Sequence, residues 1–233
     1  MSTVLVTGSS KGIGRATIIE FATHGYNVVI NYLTNKEKAE DLKKLVEDEY
    51  KTKALTVKAD ITNDIEVKDM MNIICDTFGS VDVVVNNAVY ENDDTYLNKT
   101  KEDFLKTFDV NVYGAFNVIR EVSKHMEGGI IINVSSTDSE DTYSELSMDY
   151  SASKAALNSL TKSYALAIPN LKFVALLLPW VNTESTKEML PEYLESELKR
   201  TNQDRLLEQK EAAKKIYEIT TSNIDNDSII RNF

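Results

Sequence analysis

The chain has 233 residues, 42% of them hydrophobic, which is enough for a sizeable core and ordinary for a globular protein. Its formal net charge of −11 argues against nucleic acid and against anionic membrane surfaces as partners, since both would be repelled. The single cysteine, Cys75, has no internal partner, so a reducing cytoplasm is the expected location. No apolar run is long enough to span a bilayer, and the first residues pass straight into a strand-like segment, so neither a membrane span nor a signal peptide is expected.

In chain order, Val4–Thr7 reads as a short apolar strand, followed by a glycine-bearing turn and a helix over Ile13–His24 that Gly25 closes. Val28–Tyr32 is the next strand, Lys36–Tyr50 a charged helix, and Ala54–Ala59 a third strand. Ile65–Phe78 has helical spacing and stops at Gly79, and Val81–Val85 is a continuous apolar strand of the kind buried on both faces. A long helix is expected over Glu102–Met126, broken by Gly128 and Gly129 before the strand Ile130–Val134. Tyr150–Ile168 is a helix stopped by Pro169, and Phe173–Leu178 a strand stopped by Pro179. Polar helical text runs from Thr183 to Ser222, and Asp227–Arg231 holds a last short strand. Strand and helix alternate without a linker or repeat, which implies crossover connections and one α/β domain over 1–233, a parallel sheet with helices on both faces.

Residues 4–14, VLVTGSSKGIG, place Gly8, Gly12 and Gly14 between the first strand and the first helix. Glycines there allow a sharp turn and a close approach, and the helix start offers free N–H groups to a pyrophosphate. Further on, DYSASKAAL (149–157) puts Tyr150 and Lys154 four residues apart, on one face of a helix. An ammonium favours the phenolate, so Lys154 is expected to lower the cost of proton transfer at Tyr150 and make it a general acid or base.

TGSSKGIG (7–14), DVVVNNAV (82–89), NVYG (111–114), INVSS (132–136) and YSASK (150–154) together resemble, in order and placement, the motifs of the short-chain dehydrogenase/reductase family. The resemblance covers Val4 to about Thr183. It implies a Rossmann-type doubly wound sheet and hydride transfer between a nicotinamide cofactor and a carbonyl or secondary alcohol. It also implies a catalytic set of Asn111, Ser136, Tyr150 and Lys154. Ser136 would hold the substrate oxygen, Asn111 a water that relays protons, and Lys154 the nicotinamide ribose hydroxyls. The implied cofactor contacts are Gly8, Ser10, Lys11, Gly12, Ile13 and Gly14 of the turn, Asn31 ending the second strand, Asp60 and Ile61 beside adenine, and Asn86 and Ala88 on the adenosine side. Pro179, Val181 and Thr183 would approach the carboxamide and phosphates, and no metal is expected. The second strand ends Asn31-Tyr32-Leu33 without an acid, and Lys11 sits in the turn, so NADP(H) is expected over NAD(H).

The chain departs from the family pattern at Val89, where a glycine is usual, and at LLLPWVNTES (176–185), where the glycine after Pro179 is missing. The tail NIDNDSIIRNF lacks the usual glycine, so a homodimer through the long helices is expected before a homotetramer. Asp138, Glu140, Asp141, Glu145 and Asp149 read as a solvated acidic loop; facing a substrate, they would repel anions. The helix end YALAIPNLKF has no arginine of the kind that acyl-carrier-protein reductases in the family usually offer, so a small neutral ketone or sugar-like substrate ranks ahead of a 3-oxoacyl carrier-protein substrate. A dinucleotide-binding regulatory protein with lost chemistry is the alternative of another class. Residues 183–205 are expected to form a lid, with Met189, Leu190, Tyr193, Leu194 and Leu198 as pocket walls. His24 and His125 read as helix-end residues, Cys75, Met70 and Met71 as one buried helix face, and Phe104, Phe108 and Phe116 as core or dimer packing.

Overall fold

Apolar runs of four to seven residues, too short for independent helices and buried on both sides, become the strands of a parallel sheet. The computed structural model describes residues 1–231, so the last two residues of the tail lie outside the described residues. The strands are β1 (Thr3–Val6), β2 (Asn27–Tyr32), β3 (Ala54–Lys58), β4 (Val83–Asn86), β5 (Ile130–Ser136), β6 (Lys172–Leu178) and β9 (Ser228–Ile230). They form a seven-stranded sheet in the order β3-β2-β1-β4-β5-β6-β9, and every pairing in it is parallel. The short β7 (Val181–Asn182) and β8 (Leu207–Glu208) pair with each other apart from it.

Successive strand residues point to opposite faces, so the sheet has two cores. Val4 and Val6 face one, with Ile18 and Phe21 of α1 (Gly12–Thr23), Leu42 of α2 (Lys36–Leu45) and Ile216 of α9 (Gln209–Thr221). Leu5 and Val84 face the other, with Met70, Met71 and Ile74 of α3 (Asp64–Phe78) and Val118 and Ile119 of α5 (Ala115–Val122). Phe21, Tyr26 and Tyr217 meet edge to face at 5.0 to 6.2 Å between ring centres, and His24 at the end of α1 stacks on Tyr217 at 3.8 Å. These rings clamp α9 to α1.

The expected helix over Glu102–Met126 is divided. It consists of α4 (Lys101–Phe108), a wide i→i+5 turn over Asp109–Gly114 and α5, and it ends at Val122. A capping box of Thr100 and Asp103 starts it one residue early. The charged helix expected over Lys36–Tyr50 likewise changes to a wide turn at Val46–Tyr50. The polar text from Thr183 is three helices, α7 (Glu184–Glu188), α8 (Pro191–Arg200) and α9, with β8 between the last two. Among the described residues no helix is long and apolar enough to cross a membrane.

Gly129 carries the backbone from α5 into β5 at φ +126°, and a Cβ there would lie 2.2 Å from the Asp82 carbonyl oxygen. That oxygen accepts the Ile130 N–H at 3.1 Å, which registers β5 beside β4. Gly129→Ala combines a conformation L side chains avoid with a backbone clash. Chemical denaturation should show a loss of about 1–3 kcal/mol or more. An unchanged unfolding midpoint would mean the turn is free to move.

Candidate active site

The sheet order reverses between β1 and β4, and the loops leaving these strands part there to open a crevice above their C-terminal ends. The crevice has a volume of about 680 Å³ and runs from the glycine turn to Tyr150 and Lys154 on α6 (Met148–Ala167).

The first half is built around the turn. Gly8 and Gly12 adopt φ of +60° and +58°. The Gly8 N–H donates to Asn31 Oδ1 at 3.1 Å, and Asn31 Nδ2 donates to the Ala59 carbonyl at 3.1 Å, so the turn is tied across β2 to the end of β3. The Thr7 hydroxyl accepts the N–H groups of Asn87 and Ala88, both at 3.0 Å, and holds the exit of β4 over Gly8. A Cβ on Gly8 would lie 2.9 Å from the Ala88 Cα, and one on Gly14 would lie 2.6 Å from Asn87 Nδ2. Gly12 is different: a Cβ there meets nothing nearer than Glu184 Oε2 at 4.0 Å, so its face is open to the crevice. No side chain caps the first turn of α1. An open glycine face beside an uncapped helix N-terminus fits the pyrophosphate of a dinucleotide.

Ser10, Lys11, Ile13, Asn31, Asp60, Ile61, Ala88, Pro179, Val181 and Thr183 line the same crevice with Gly8 and Gly12. Gly14 sits behind the turn, where its role is close packing. Asn86 does not line the crevice: its Nδ2 donates to Asn133 Oδ1 at 2.8 Å inside the sheet. The neighbouring Asn87 lines it instead, with its side chain donating to the Thr7 and Gly8 carbonyls at 2.9 and 3.2 Å. Asn86 is the last residue of β4 and its side chain is spent on the neighbouring strand, so the crevice contact expected of it falls to the residue after the strand end.

The second half holds the tyrosine and lysine. Lys154, 3% exposed, donates to the Val134 carbonyl at 2.8 Å, and its Nζ lies 5.4 Å from the centre of the Tyr150 ring. The Ser136 hydroxyl accepts the Asp138 N–H at 3.1 Å and lines the crevice with Tyr150, whereas Ser135 turns to the Lys154 carbonyl at 3.4 Å. Asn111 stands behind the crevice wall in the wide turn of the α4–α5 helix. Its side chain accepts the Tyr90 N–H at 2.8 Å and donates to the Tyr90 carbonyl at 2.9 Å and to Ser153 Oγ at 3.0 Å. Both N–H groups of the amide are thus engaged with the chain, and its oxygen holds the Tyr90 N–H.

Charge here differs from expectation. Burial pushes the Tyr150 phenol well above its ordinary value, the carboxylates of Glu91 and Asp138 add to this, and the bond to Ser136 opposes it. Burial lowers Lys154 to about 8, against the pull of Glu91, so it still carries its charge near neutral pH. In the free protein Tyr150 therefore keeps its proton. Glu91, absent from the sequence expectations, is raised to about 7 by burial and by Asp93, with Ser147 and Lys154 opposing.

The acidic segment is not uniformly solvated either. Asp149 is fully buried, 2.7 Å from Lys99 Nζ, and Asp138 lines the crevice; Glu140 and Asp141 pair with Arg231. Of the expected lid walls only Met189 lines the crevice, and Leu190 is 75% exposed. The missing glycine after Pro179 has a local replacement. The Trp180 N–H donates to Gln203 Oε1 at 2.9 Å, and its carbonyl accepts from Gln203 Nε2 at 3.1 Å and from the Leu207 N–H at 2.9 Å. Trp180 and Val89 both border the crevice without closing it.

The family model for short chain dehydrogenases matches residues 2–193, and the chain belongs to that family. It is 37% identical over 167 residues to the 3-oxoacyl-acyl-carrier-protein reductase FabG of Staphylococcus aureus, a match covering 69% of this chain and 66% of that protein. It is 33% identical over 168 residues to the uncharacterized oxidoreductase YhxC of Bacillus subtilis, covering 71% of this chain and 58% of that one. The matches thus span less than two thirds of these relatives' own length. The solved structure of a short-chain dehydrogenase/reductase from Serratia marcescens superposes with a TM-score of 0.90 at 25% identity, over 98% of this chain and 95% of that one. The fold is shared as well with a dehydrogenase/reductase from Sinorhizobium meliloti, with a TM-score of 0.92 at 24% identity, over 98% and 92% of the two chains.

Proposed function

We propose that the protein is an NADPH-dependent oxidoreductase that reduces a small ketone to a secondary alcohol. The observation that carries this reading is that Tyr150, Lys154 and Ser136 share one crevice with the glycine turn. NADPH, when bound, supplies the hydride. The chain's own groups handle the proton and the charge. The Ser136 hydroxyl holds the carbonyl oxygen, and the Tyr150 hydroxyl delivers its proton to that oxygen as the carbonyl π bond breaks. Lys154 places a positive charge beside the phenolate left behind. The proton kept on Tyr150 suits it to serve as the acid in that step.

The cofactor preference rests on charge. Lys11 is exposed on the turn, and Asn31, Leu33, Thr34 and Asn35 line the neighbouring wall without a carboxylate. An acid there would hold a ribose hydroxyl and reject a phosphate. In fluorescence titrations NADPH should bind about tenfold more tightly than NADH, and Lys11→Ala should reduce that difference. Tighter binding of NADH overturns the assignment.

Pairing of two copies through the long helices is supported by an apolar groove lined by Leu105, Phe108, Val112, Phe116 and Leu160, with Leu105 58% exposed. A second reading, reduction of a 3-oxoacyl group on acyl carrier protein, is favoured by the name of the Staphylococcus aureus relative. Turnover of an acetoacetyl carrier-protein thioester with NADPH, faster than that of any small free ketone, would establish it in place of the first.

A further inference from the structure

We infer that Glu91 selects the substrate by charge, and that the favoured carbonyl compound carries an ammonium or similar cation within a few bonds of the carbonyl carbon. This inference rests on the oxidoreductase reading of the same crevice. Glu91 lines that crevice together with Tyr150, Ser136 and Lys154. Its place is set by the chain rather than by chance of a loop. Both backbone polar groups of Tyr90, the preceding residue, are held by the Asn111 side chain at 2.8 and 2.9 Å. Asn111 in turn donates to Ser153 on α6, one residue before Lys154. The element that carries the lysine therefore also fixes the backbone from which Glu91 projects.

The charges around this end of the crevice do not balance. Three carboxyl groups, Glu91, Asp93 and Asp138, bear on Tyr150. Facing them are Lys154 from α6 and Arg200 from α8. Lys154 is turned to the Val134 carbonyl, and Arg200 is held by Glu197 at 3.0 Å and by the Tyr143 carbonyl at 2.8 Å, with Asp138 at 3.9 Å. Asp93 accepts the Ser147 hydroxyl. Among the described residues no ion pair involves Glu91, to which only the Ser147 hydroxyl offers a bond, so of the carboxyl groups at this end it is the one left for a ligand's charge. A cation arriving there gains a carboxylate partner on the crevice wall, which in turn favours the ionised form of Glu91. Glu91 is exposed on the crevice wall, and an anion arriving there meets like charge, which is unfavourable.

Three ketones of one skeleton isolate the effect: aminoacetone, hydroxyacetone and acetoacetate place an ammonium, a hydroxyl and a carboxylate on the same carbon. With NADPH and the full chain, kcat/KM should fall in that order. Glu91→Gln should narrow the ratio of aminoacetone to acetoacetate by about tenfold or more, while Glu47→Gln, on the distant wide turn after α2, should leave it unchanged and so control for net charge. An order unaffected by Glu91→Gln, or a preference for acetoacetate, overturns the inference. If none of the three turns over, the oxidoreductase reading is what fails for this substrate class. Ligand-observed NMR of the matching amino alcohol, diol and hydroxy acid then decides the charge inference by itself. The same order of binding, collapsed by Glu91→Gln, supports it, and no order overturns it.

Discussion

Tyr150→Phe should reduce ketone turnover by about a hundred- to ten-thousandfold while dinucleotide binding is kept. The substitution removes a single oxygen and leaves the ring that lies 5.4 Å from Lys154 Nζ. The lost hydroxyl is the group whose proton burial and the neighbouring carboxylates hold in place. Stopped-flow turnover and fluorescence titration of the same preparation separate the two effects. Activity within about tenfold of the parent would show that another acid serves, and Glu91, raised to about 7 in the same crevice, is the group to replace next. Loss of cofactor binding together with turnover would instead assign Tyr150 to the grip on the dinucleotide.

Lys99→Met should cost about 3–5 kcal/mol of stability, because it leaves a buried carboxylate without its counter-charge. Lys99 Nζ lies 2.7 Å from Asp149 Oδ1, with the two side chains 2% and 1% exposed. The other Asp149 oxygen accepts the Thr107 hydroxyl at 2.7 Å. Together these contacts pin the first turn of α6, where Tyr150 is the next residue, to the last turn of α4 and to the loop before that helix. The pair also sets a direction with pH. Burial alone would raise the Asp149 carboxyl, but bonds from Lys99 and Thr107 outweigh it and hold the group below its usual range. A depressed folded value contributes stability above the unfolded value, and that contribution is lost as pH falls through the folded one. In the methionine variant the burial effect is left without the lysine's opposition. The gap between parent and variant should therefore be widest near neutral pH and shrink in acid. Urea unfolding across that range measures it; a neutral-pH deficit below about 1 kcal/mol would mean that water or a rearranged loop replaces the ammonium.

Much of this molecule was legible in its sequence because the signals are local. Glycines close the helices, apolar runs mark strands buried on both faces, and Tyr150 with Lys154 share a helix face at a spacing that needs no tertiary information. The wide turns at 46–50 and 109–114 were not legible, since one extra residue in a turn leaves the run of helical residues unbroken. That Asn86 points into the sheet while Asn87 lines the crevice was not legible, since both follow one apolar strand and the orientation at its end is set by the Asn133 and Thr7 contacts. Glu91 lay in a stretch without periodicity, and its significance arises from a hydrogen bond between Asn111 and Tyr90, 21 residues apart. The buried Asp149 read as one acid among five in a polar loop, because its partner is fifty residues upstream. Charge that matters for chemistry is here assembled by long-range contacts, whereas the phosphate turn is written in consecutive letters.

The ring clamp between α1 and α9 joins regions that a reading along the chain keeps apart. One end of α1 meets the proposed pyrophosphate site; the other is gripped by Tyr217, beyond the 2–193 span of the family match. The helix acts as a tie-rod, so slack introduced near the carboxyl end of the chain would be felt first by the nucleotide and only later by the proton donor.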